Sequence, residues 1–116
     1  MLDVQNARIG VIGLGYVGLP LAVSFACHFP TLGFDVKTER IAELKAGRDR
    51  TLEVTPEELA QAGGLSLTAA PADLAPCNVY VVTVPTPIDR HKRPNLRPLE
   101  AASRTVGGVL SPGDVV

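Results

Sequence analysis

Residues 9–29 carry the sequence IGVIGLGYVGLPLAVSFACHF, which is the most informative segment of the chain about its fold. The short apolar run 9–12 ends in glycines, and apolar residues recur at helical spacing over residues 16–29. This pattern predicts a β-strand that leads into an α-helix. Pro20 falls within the first turns of that helix, where a missing amide donor costs little, so it does not contradict the prediction.

Between the strand and the helix, the sequence GLGYVG matches the pattern G-x-G-x-x-G. Gly13 permits a tight turn, Gly15 lets a pyrophosphate group approach the backbone, and Gly18 lets the helix pack close to the strand. The start of the helix offers free amide groups and a partial positive charge, so Tyr16 and Val17 are also candidate binding residues. The motif predicts a dinucleotide-binding turn, and a purely structural strand-to-helix turn is the alternative.

Asp35 follows Gly18 by seventeen residues and lies at the end of the second predicted strand. A carboxylate at this position can accept hydrogen bonds from the hydroxyl groups of an adenosine ribose. Its negative charge would repel a 2′-phosphate, which favours NAD over NADP as the cofactor. Lys37 and Arg40 keep the alternative open, since nearby cations can accommodate a phosphate.

The rest of the chain alternates between predicted strands and predicted helices. Thr38 is the expected cap of a second helix that stops at Gly47, and Asn95 is the expected cap of the last helix. Thr55 and Glu58 have the spacing of a capping box at the start of a short third helix. Strands are predicted at residues 31–36, 65–68 and 79–84, helices at 38–46, 55–62 and about 98–110, and at most one helical turn at 71–74.

The alternation predicts an α/β fold, a doubly wound and mostly parallel sheet with the strand order 3-2-1-4-5. Residues 1–116 are predicted to form one dinucleotide-binding Rossmann domain. Because a fifth strand begins only at Val115, we expect this domain to be incomplete and truncated at that strand. Strands one and four are neighbours in this order, so Thr86, in the loop after strand four, should border the glycines and offer a hydroxyl to the cofactor.

The composition excludes several classes of function. The chain has 116 residues, of which 46% are hydrophobic, and its formal net charge is −1, so we expect neither a nucleic-acid nor a membrane partner. The apolar runs are too short to span a membrane and the first residues do not resemble a signal peptide, which favours the cytoplasm. Cys27 and Cys77 are far apart and show no metal-binding pattern, so we expect buried free thiols and no metal site.

Three segments together resemble a known family. Residues 12–22 (IGLGYVGLPLA), 33–35 (GFD) and 84–87 (VPTP) are similar to the amino-terminal NAD-binding domain of the UDP-glucose/GDP-mannose dehydrogenase family. Residues 47–53 (GRDRTLE) and 85–89 (PTPID) look most like the branch that oxidises UDP-N-acetylhexosamines for capsular or O-antigen polysaccharide, of the Vi-antigen type. The resemblance covers essentially the whole chain, but the spacing within residues 47–53 indicates no mechanism.

The resemblance implies an enzyme that oxidises the C6 alcohol of a UDP-sugar to a carboxylate with two NAD⁺, through a covalent thioester on a cysteine. That cysteine is expected downstream of a long central helix, in a substrate domain absent from this chain, and neither Cys27 nor Cys77 matches it. We therefore assign no catalytic residue, expect this chain alone to be inactive, and expect the full-length protein to be a homo-oligomer. The resemblance assigns Gly13, Gly15 and Gly18 to the pyrophosphate, Asp35 to the ribose, Arg40 to the vicinity of the adenine and Thr86 to the nicotinamide half.

Two other functions remain open at this level. A non-catalytic module would bind NAD in the same crevice and bias the conformation of a partner. A different Rossmann oxidoreductase, for instance one that acts on a hydroxyacid, is the second alternative because a fold does not determine a function. The loop 85–87 and the stretch 47–53 favour a nucleotide-sugar dehydrogenase over this second alternative.

Overall fold

A computed structural model describes residues 4–85 and 91–116 of the chain. Strands and helices alternate along it, and short 3-10 helices occur at Val4–Asn6 and Pro71–Leu74. Within these residues the strands are β1 (Ile9–Ile12), β2 (Thr31–Phe34), β3 (Leu65–Thr68) and β4 (Val79–Val82), and the α-helices are α1 (Gly18–Ala26), α2 (Thr38–Lys45), α3 (Pro56–Gln61) and α4 (Arg97–Gly107).

The strands form one parallel sheet with the order β3-β2-β1-β4. β1 is central, and its register places Ile9 beside Thr31 of β2 and beside Val79 of β4. Val115 makes a single parallel bridge to Val79, and its carbonyl oxygen accepts a hydrogen bond from the Tyr80 N–H at 2.8 Å. The predicted order is therefore confirmed for strands 3-2-1-4, and a single bridge at Val115 lies beside β4, where the fifth strand is predicted.

Two hydrophobic clusters cover the two faces of the sheet. Alternate side chains of a strand point to opposite faces, so Ile9 and Val11 belong to one cluster and Ile12 to the other. Helices on both faces are the arrangement that a doubly wound fold requires. The first cluster contains Ile9, Val11, Leu14, Leu19, Ala22, Ile41, Leu44 and Val54, and the second contains Ile12, Phe34, Leu74, Cys77, Tyr80, Ala102 and Val106.

The predictions for Thr38 and Cys27 are wrong. Thr38 does not cap α2, because it is already the first residue of the helix, and the preceding Lys37 makes no side-chain cap. The Lys37 N–H instead donates to Asp35 Oδ1 at 3.0 Å, so a residue just beyond β2 organises this helix start. Cys27 is exposed rather than buried, because α1 ends at Ala26 and Cys27 follows it, whereas Cys77 is buried as expected.

Other elements agree with the predictions and differ mainly at their ends. The capping box of α3 is present, since the Glu58 N–H donates to Thr55 Oγ1 and the Thr55 N–H donates to Glu58 Oε1. The prediction that Asn95 caps α4 is wrong, because Leu96 occupies the cap position; Asn95 Oδ1 nevertheless accepts from the Arg97 N–H at 3.1 Å, at the start of the helix. In the two described ranges, no helix is long and apolar enough to cross a membrane.

Candidate functional site

A cleft of about 790 Å³ opens at the carboxyl ends of β1, β2 and β4. Ligands of open parallel sheets bind at this edge, where the strand order reverses. The walls are the turn after β1, the segment after β2, part of α2 and one side of α4. The lining residues are Ile12, Gly13, Leu14, Gly15, Phe34, Asp35, Val36, Lys37, Glu39, Arg40, Arg50, Thr51, Val84, Pro85, Pro98, Ala101, Ala102 and Thr105.

Residues 13–18, hereafter the glycine turn, have a backbone that requires glycine at two positions. Gly13 has a φ of +99°, which favours glycine, and its N–H donates to the Phe34 carbonyl oxygen at 2.8 Å. A Cβ atom on Gly18 would overlap the carbonyl oxygen of Gly13. The Thr83 hydroxyl, just beyond β4, donates to that same oxygen at 2.7 Å. The tight turn expected at Gly13 and the close packing expected at Gly18 are both present.

The middle of the glycine turn is open to the cleft. A Cβ atom on Gly15 would meet nothing within 4 Å, and the side chains of Tyr16 and Val17 are exposed. α1 begins at Gly18, and no side chain caps it at Val17. The N–H groups at the start of a helix attract anions, and the helix dipole adds to this attraction. A pyrophosphate group therefore suits this turn both sterically and electrostatically.

Asp35 connects the end of β2 to the glycine turn. Its Oδ2 accepts from the Leu14 N–H and its Oδ1 accepts from the Lys37 N–H, both at 3.0 Å. Each oxygen of an ionised carboxylate has two lone pairs, so both oxygens of Asp35 keep acceptor capacity. Because Asp35 also lines the cleft, its placement suits the predicted contact with ribose hydroxyl groups.

Arg40 is buried in the wall of the cleft. Its Nε donates to the Leu14 carbonyl oxygen at 2.8 Å, and its Nη1 lies 3.0 Å from Glu43 Oε2 and 2.9 Å from Asp49 Oδ1. Its Nη2 is buried and has no hydrogen-bond partner among the described residues. Burying an unsatisfied donor is costly, so this atom suits a ligand that brings an acceptor. The two carboxylates offset the charge of Arg40, which weakens the alternative that this cation receives a 2′-phosphate.

Residues 47–54, hereafter the Asp49 loop, form the outer part of the same wall. The fully buried side chain of Asp49 accepts from the N–H and the hydroxyl of Thr51 through Oδ1, and from the N–H groups of Glu53 and Val54 through Oδ2. Burial alone would raise the pKa of Asp49, but the hydrogen bonds, first those from Thr51, outweigh it and lower the pKa to about 2. Asp49 is therefore an ionised group at neutral pH.

Glu43 joins the two arginines of this wall. Its carboxylate accepts from Arg40 Nη1 and from both the backbone N–H and the Nε of Arg50. The Arg50 N–H lowers the pKa of Glu43 against the opposing effect of burial. Together with Asp49, the cluster contains two cations and two anions, so its net charge is zero. Sequence reasoning missed the role of Asp49 because its ion-pair partner, Arg40, comes from another element, α2, and two acidic residues between two arginines at positions 40, 43, 49 and 50 are a weak signal of it.

Thr86 lies outside the described residues, together with the rest of segment 86–90. Val84 and Pro85, which precede it, line the cleft. The contact of Thr86 with the nicotinamide half therefore stays a prediction. Across residues 4–85 and 91–116, no group of three or more His, Cys, Asp or Glu side chains is arranged to hold a metal ion.

Known proteins resemble this chain in sequence. The model of the UDP-glucose/GDP-mannose dehydrogenase family, NAD binding domain, matches residues 7–116. The chain is 54% identical over 112 residues to UDP-N-acetyl-D-glucosamine 6-dehydrogenase from Pseudomonas aeruginosa. This alignment covers 97% of this chain and 26% of that protein. It is 51% identical over 116 residues to the protein of the same name from Salmonella typhi. This alignment covers 100% of this chain and 27% of that protein.

A solved structure resembles the fold as well. A UDP-D-ManNAc dehydrogenase from Pyrococcus horikoshii aligns with a TM-score of 0.87 at 36% identity, over 92% of this chain and 27% of that chain. The chain thus spans about a quarter of the length of the relatives that it matches. Its glycine turn and Asp35 fit the dinucleotide NAD, the cofactor of the matched domain. The chain belongs to the UDP-glucose/GDP-mannose dehydrogenase family, within the NAD-binding domain.

Proposed function

We propose that the full-length protein is an NAD-dependent UDP-N-acetyl-D-glucosamine 6-dehydrogenase that acts in the biosynthesis of a surface polysaccharide. The observation that carries the proposal is the 54% identity to the Pseudomonas aeruginosa protein of that name, over 97% of this chain. The cleft adds support, because it offers the groups that a dinucleotide needs. The role in capsule or O-antigen polysaccharide rests on the resemblance of residues 47–53 and 85–89 to that branch of the family.

In this proposal the chain binds and orients the cofactor. The open backbone at Gly15 receives the pyrophosphate, and the N–H groups of Tyr16 and Val17, which directly precede α1, lie close by. Asp35 accepts from the hydroxyl groups of the adenosine ribose, and the unpaired Nη2 of Arg40 donates at the same end of the cleft. Bound NAD⁺ supplies the hydride acceptor.

The chemistry needs residues beyond this chain. Oxidation of an alcohol to a carboxylate removes two hydrides, which two molecules of NAD⁺ accept, and water supplies the second oxygen atom. We propose that residues 1–116 are the cofactor domain and that the central helix and the substrate domain, with the nucleophilic cysteine, follow them. Burial raises the pKa of the Cys77 thiol, which makes this cysteine a poor nucleophile.

Turnover by the full-length protein tests the activity. With UDP-N-acetylglucosamine we expect two NADH for each sugar oxidised, and the other UDP-N-acetylhexosamine epimers are the comparison substrates. A protein that binds NAD but oxidises no UDP-sugar contradicts the proposal and favours the non-catalytic module. Oxidation of a hydroxyacid instead favours a different Rossmann oxidoreductase.

Replacing Asp35 tests the cofactor site. In Asp35→Asn the ribose loses a charged acceptor, worth about 1.5–3 kcal/mol, so the Kd for NAD should rise at least about tenfold. The preference for NAD over NADP should narrow at the same time, because the repulsion of a 2′-phosphate is removed. Glu57→Gln, the same charge change at an exposed residue of α3, is the matched control. An unchanged Kd for NAD in Asp35→Asn contradicts the assignment.

We also propose that the full-length protein works in the cytoplasm and forms a homo-oligomer. The two free cysteines suit a reducing compartment, and the oligomer is implied by the family resemblance. Fractionation of the producing cells tests the compartment, and the molar mass in solution by light scattering tests the oligomer.

A further inference from the structure

The Asp49 loop is organised around one buried carboxylate. Asp49 accepts four hydrogen bonds from within the loop, from the N–H and hydroxyl of Thr51 and from the N–H groups of residues 53 and 54. Its side chain is fully buried and forms an ion pair with Arg40 at 2.9 Å. A single side chain therefore holds both the loop and the neighbouring helix α2.

The backbone of this loop is strained. Leu52 has a φ of +58°, a left-handed conformation that residues with a Cβ atom rarely adopt, and its side chain is 88% exposed. Its N–H donates to the Asp49 carbonyl oxygen at 3.1 Å. A strained residue that buries almost no surface persists only when its surroundings hold it in place, and the hydrogen bonds to Asp49 provide that constraint.

The contacts of Asp49 lead to the cleft, although Asp49 is not one of its lining residues. Thr51, which donates twice to Asp49, lines the cleft wall. Arg40 donates through Nε to the carbonyl oxygen of Leu14, and the N–H of Leu14 donates to Asp35. One set of contacts therefore leads from the buried carboxylate to the cleft wall at Thr51, and a second leads through Arg40 and Leu14 to Asp35.

We propose that Asp49 is a positioning residue for the adenosine end of NAD. It fixes the guanidinium of Arg40 and the wall at Thr51, and both of these residues line the cleft. The proposal rests on the function proposed above, since it needs NAD in this cleft. It adds a residue that acts on cofactor binding through others, without touching the cofactor.

Kinetics of full-length Asp49→Asn test this inference. Asn has the same size, but in either orientation its NH₂ group faces N–H or hydroxyl donors that now lack an acceptor. We expect the KM for NAD and the Ki of ADP-ribose, which carries the adenosine end, each to rise about tenfold. The kcat and the KM for UDP-N-acetylglucosamine should stay within about twofold of wild type. Glu57→Gln, an exposed carboxylate outside the loop, is the control for loss of charge.

The outcomes separate this inference from the proposed function. If folded Asp49→Asn keeps the wild-type KM for NAD and Ki of ADP-ribose, or if kcat and the KM values for both substrates change together, the inference is wrong. If Asp49→Asn does not fold, Thr51→Val is the second test. We expect it to raise the KM for NAD about threefold, and an unchanged KM for NAD would contradict the inference. If the wild-type protein oxidises no UDP-sugar but binds NAD, the proposed dehydrogenase activity is wrong. The role of Asp49 is then tested by comparing the Kd values for NAD and ADP-ribose between wild type and Asp49→Asn.

Discussion

The glycine turn and the Asp49 loop line the same cleft but are held by opposite means. The glycine turn depends on side chains that are absent, because a Cβ atom on Gly18 would overlap the Gly13 carbonyl oxygen. The Asp49 loop depends on one side chain that is present, a carboxylate that collects donors from its own loop and from α2. A turn that is determined by steric exclusion can therefore be recognised from a local motif. A loop that is held by a buried charge cannot, because some of its partners come from another element.

The largest expected effect is the loss of stability caused by a side chain at Gly18, in the glycine turn. Gly18→Ala places a methyl group against the backbone at Gly13 and the Thr83 hydroxyl, so α1 must move away from the turn. We expect a loss of about 3 kcal/mol or more in the free energy of unfolding, measured by urea denaturation of the 116-residue chain. Gly107→Ala in α4 is the matched control, since its Cβ atom meets nothing within 4 Å and should stabilise the helix by about 0.5–1 kcal/mol. Equal effects of the two changes would show that steric exclusion does not hold the turn.

The second expected effect is a pH dependence of stability that comes from the charge of Asp49. The folded-state pKa of about 2 lies below the value of 3.8 for an unperturbed aspartate, so Asp49 stabilises the fold fully above the unfolded-state pKa, and this contribution is lost as the pH falls from about 4 to 2. The shift corresponds to about 2 kcal/mol. Urea denaturation should therefore show the stability gap between wild type and Asp49→Asn narrowing by about that amount below pH 4. A gap that is independent of pH would mean that the loop does not depend on this charge.

The smallest expected effect comes from the left-handed backbone angle of Leu52 in the Asp49 loop. Leu52→Gly relieves a left-handed conformation that costs a residue with a Cβ atom about 1–2 kcal/mol, while the added flexibility of the unfolded chain costs about 0.5–1 kcal/mol. We expect a net stabilisation of about 0.5 kcal/mol by thermal unfolding. Leu52→Ala keeps the Cβ atom and should change little, because the side chain is mostly exposed. If glycine is no more stable than alanine here, the loop stores no strain at this position.

Much of the fold was predictable from local sequence. The strand at residues 65–68, the capping box at Thr55 and the glycine turn are present where the patterns place them, because each depends on a few neighbouring residues. Residue type alone predicts Thr38 as a cap, and this prediction fails because the Asp35 side chain accepts from the Lys37 N–H and the helix already begins at Thr38, one residue earlier than a Thr38 cap requires. Cys27 was expected to be buried from the average behaviour of cysteine, but its exposure depends on where α1 ends.

Local sequence accounts for the alternation of strands and helices, for the glycine turn and for the position of Asp35 at the end of β2. These features follow from side-chain periodicity and from backbone angles, which are properties of short segments. By contrast, the burial of Arg40 between Leu14, Glu43 and Asp49, and the hydrogen bonds by which Asp49 organises residues 47–54, arise from the packing of separate elements. The physical reason is that a long charged side chain takes its partners from whichever elements the packed core brings within hydrogen-bond distance.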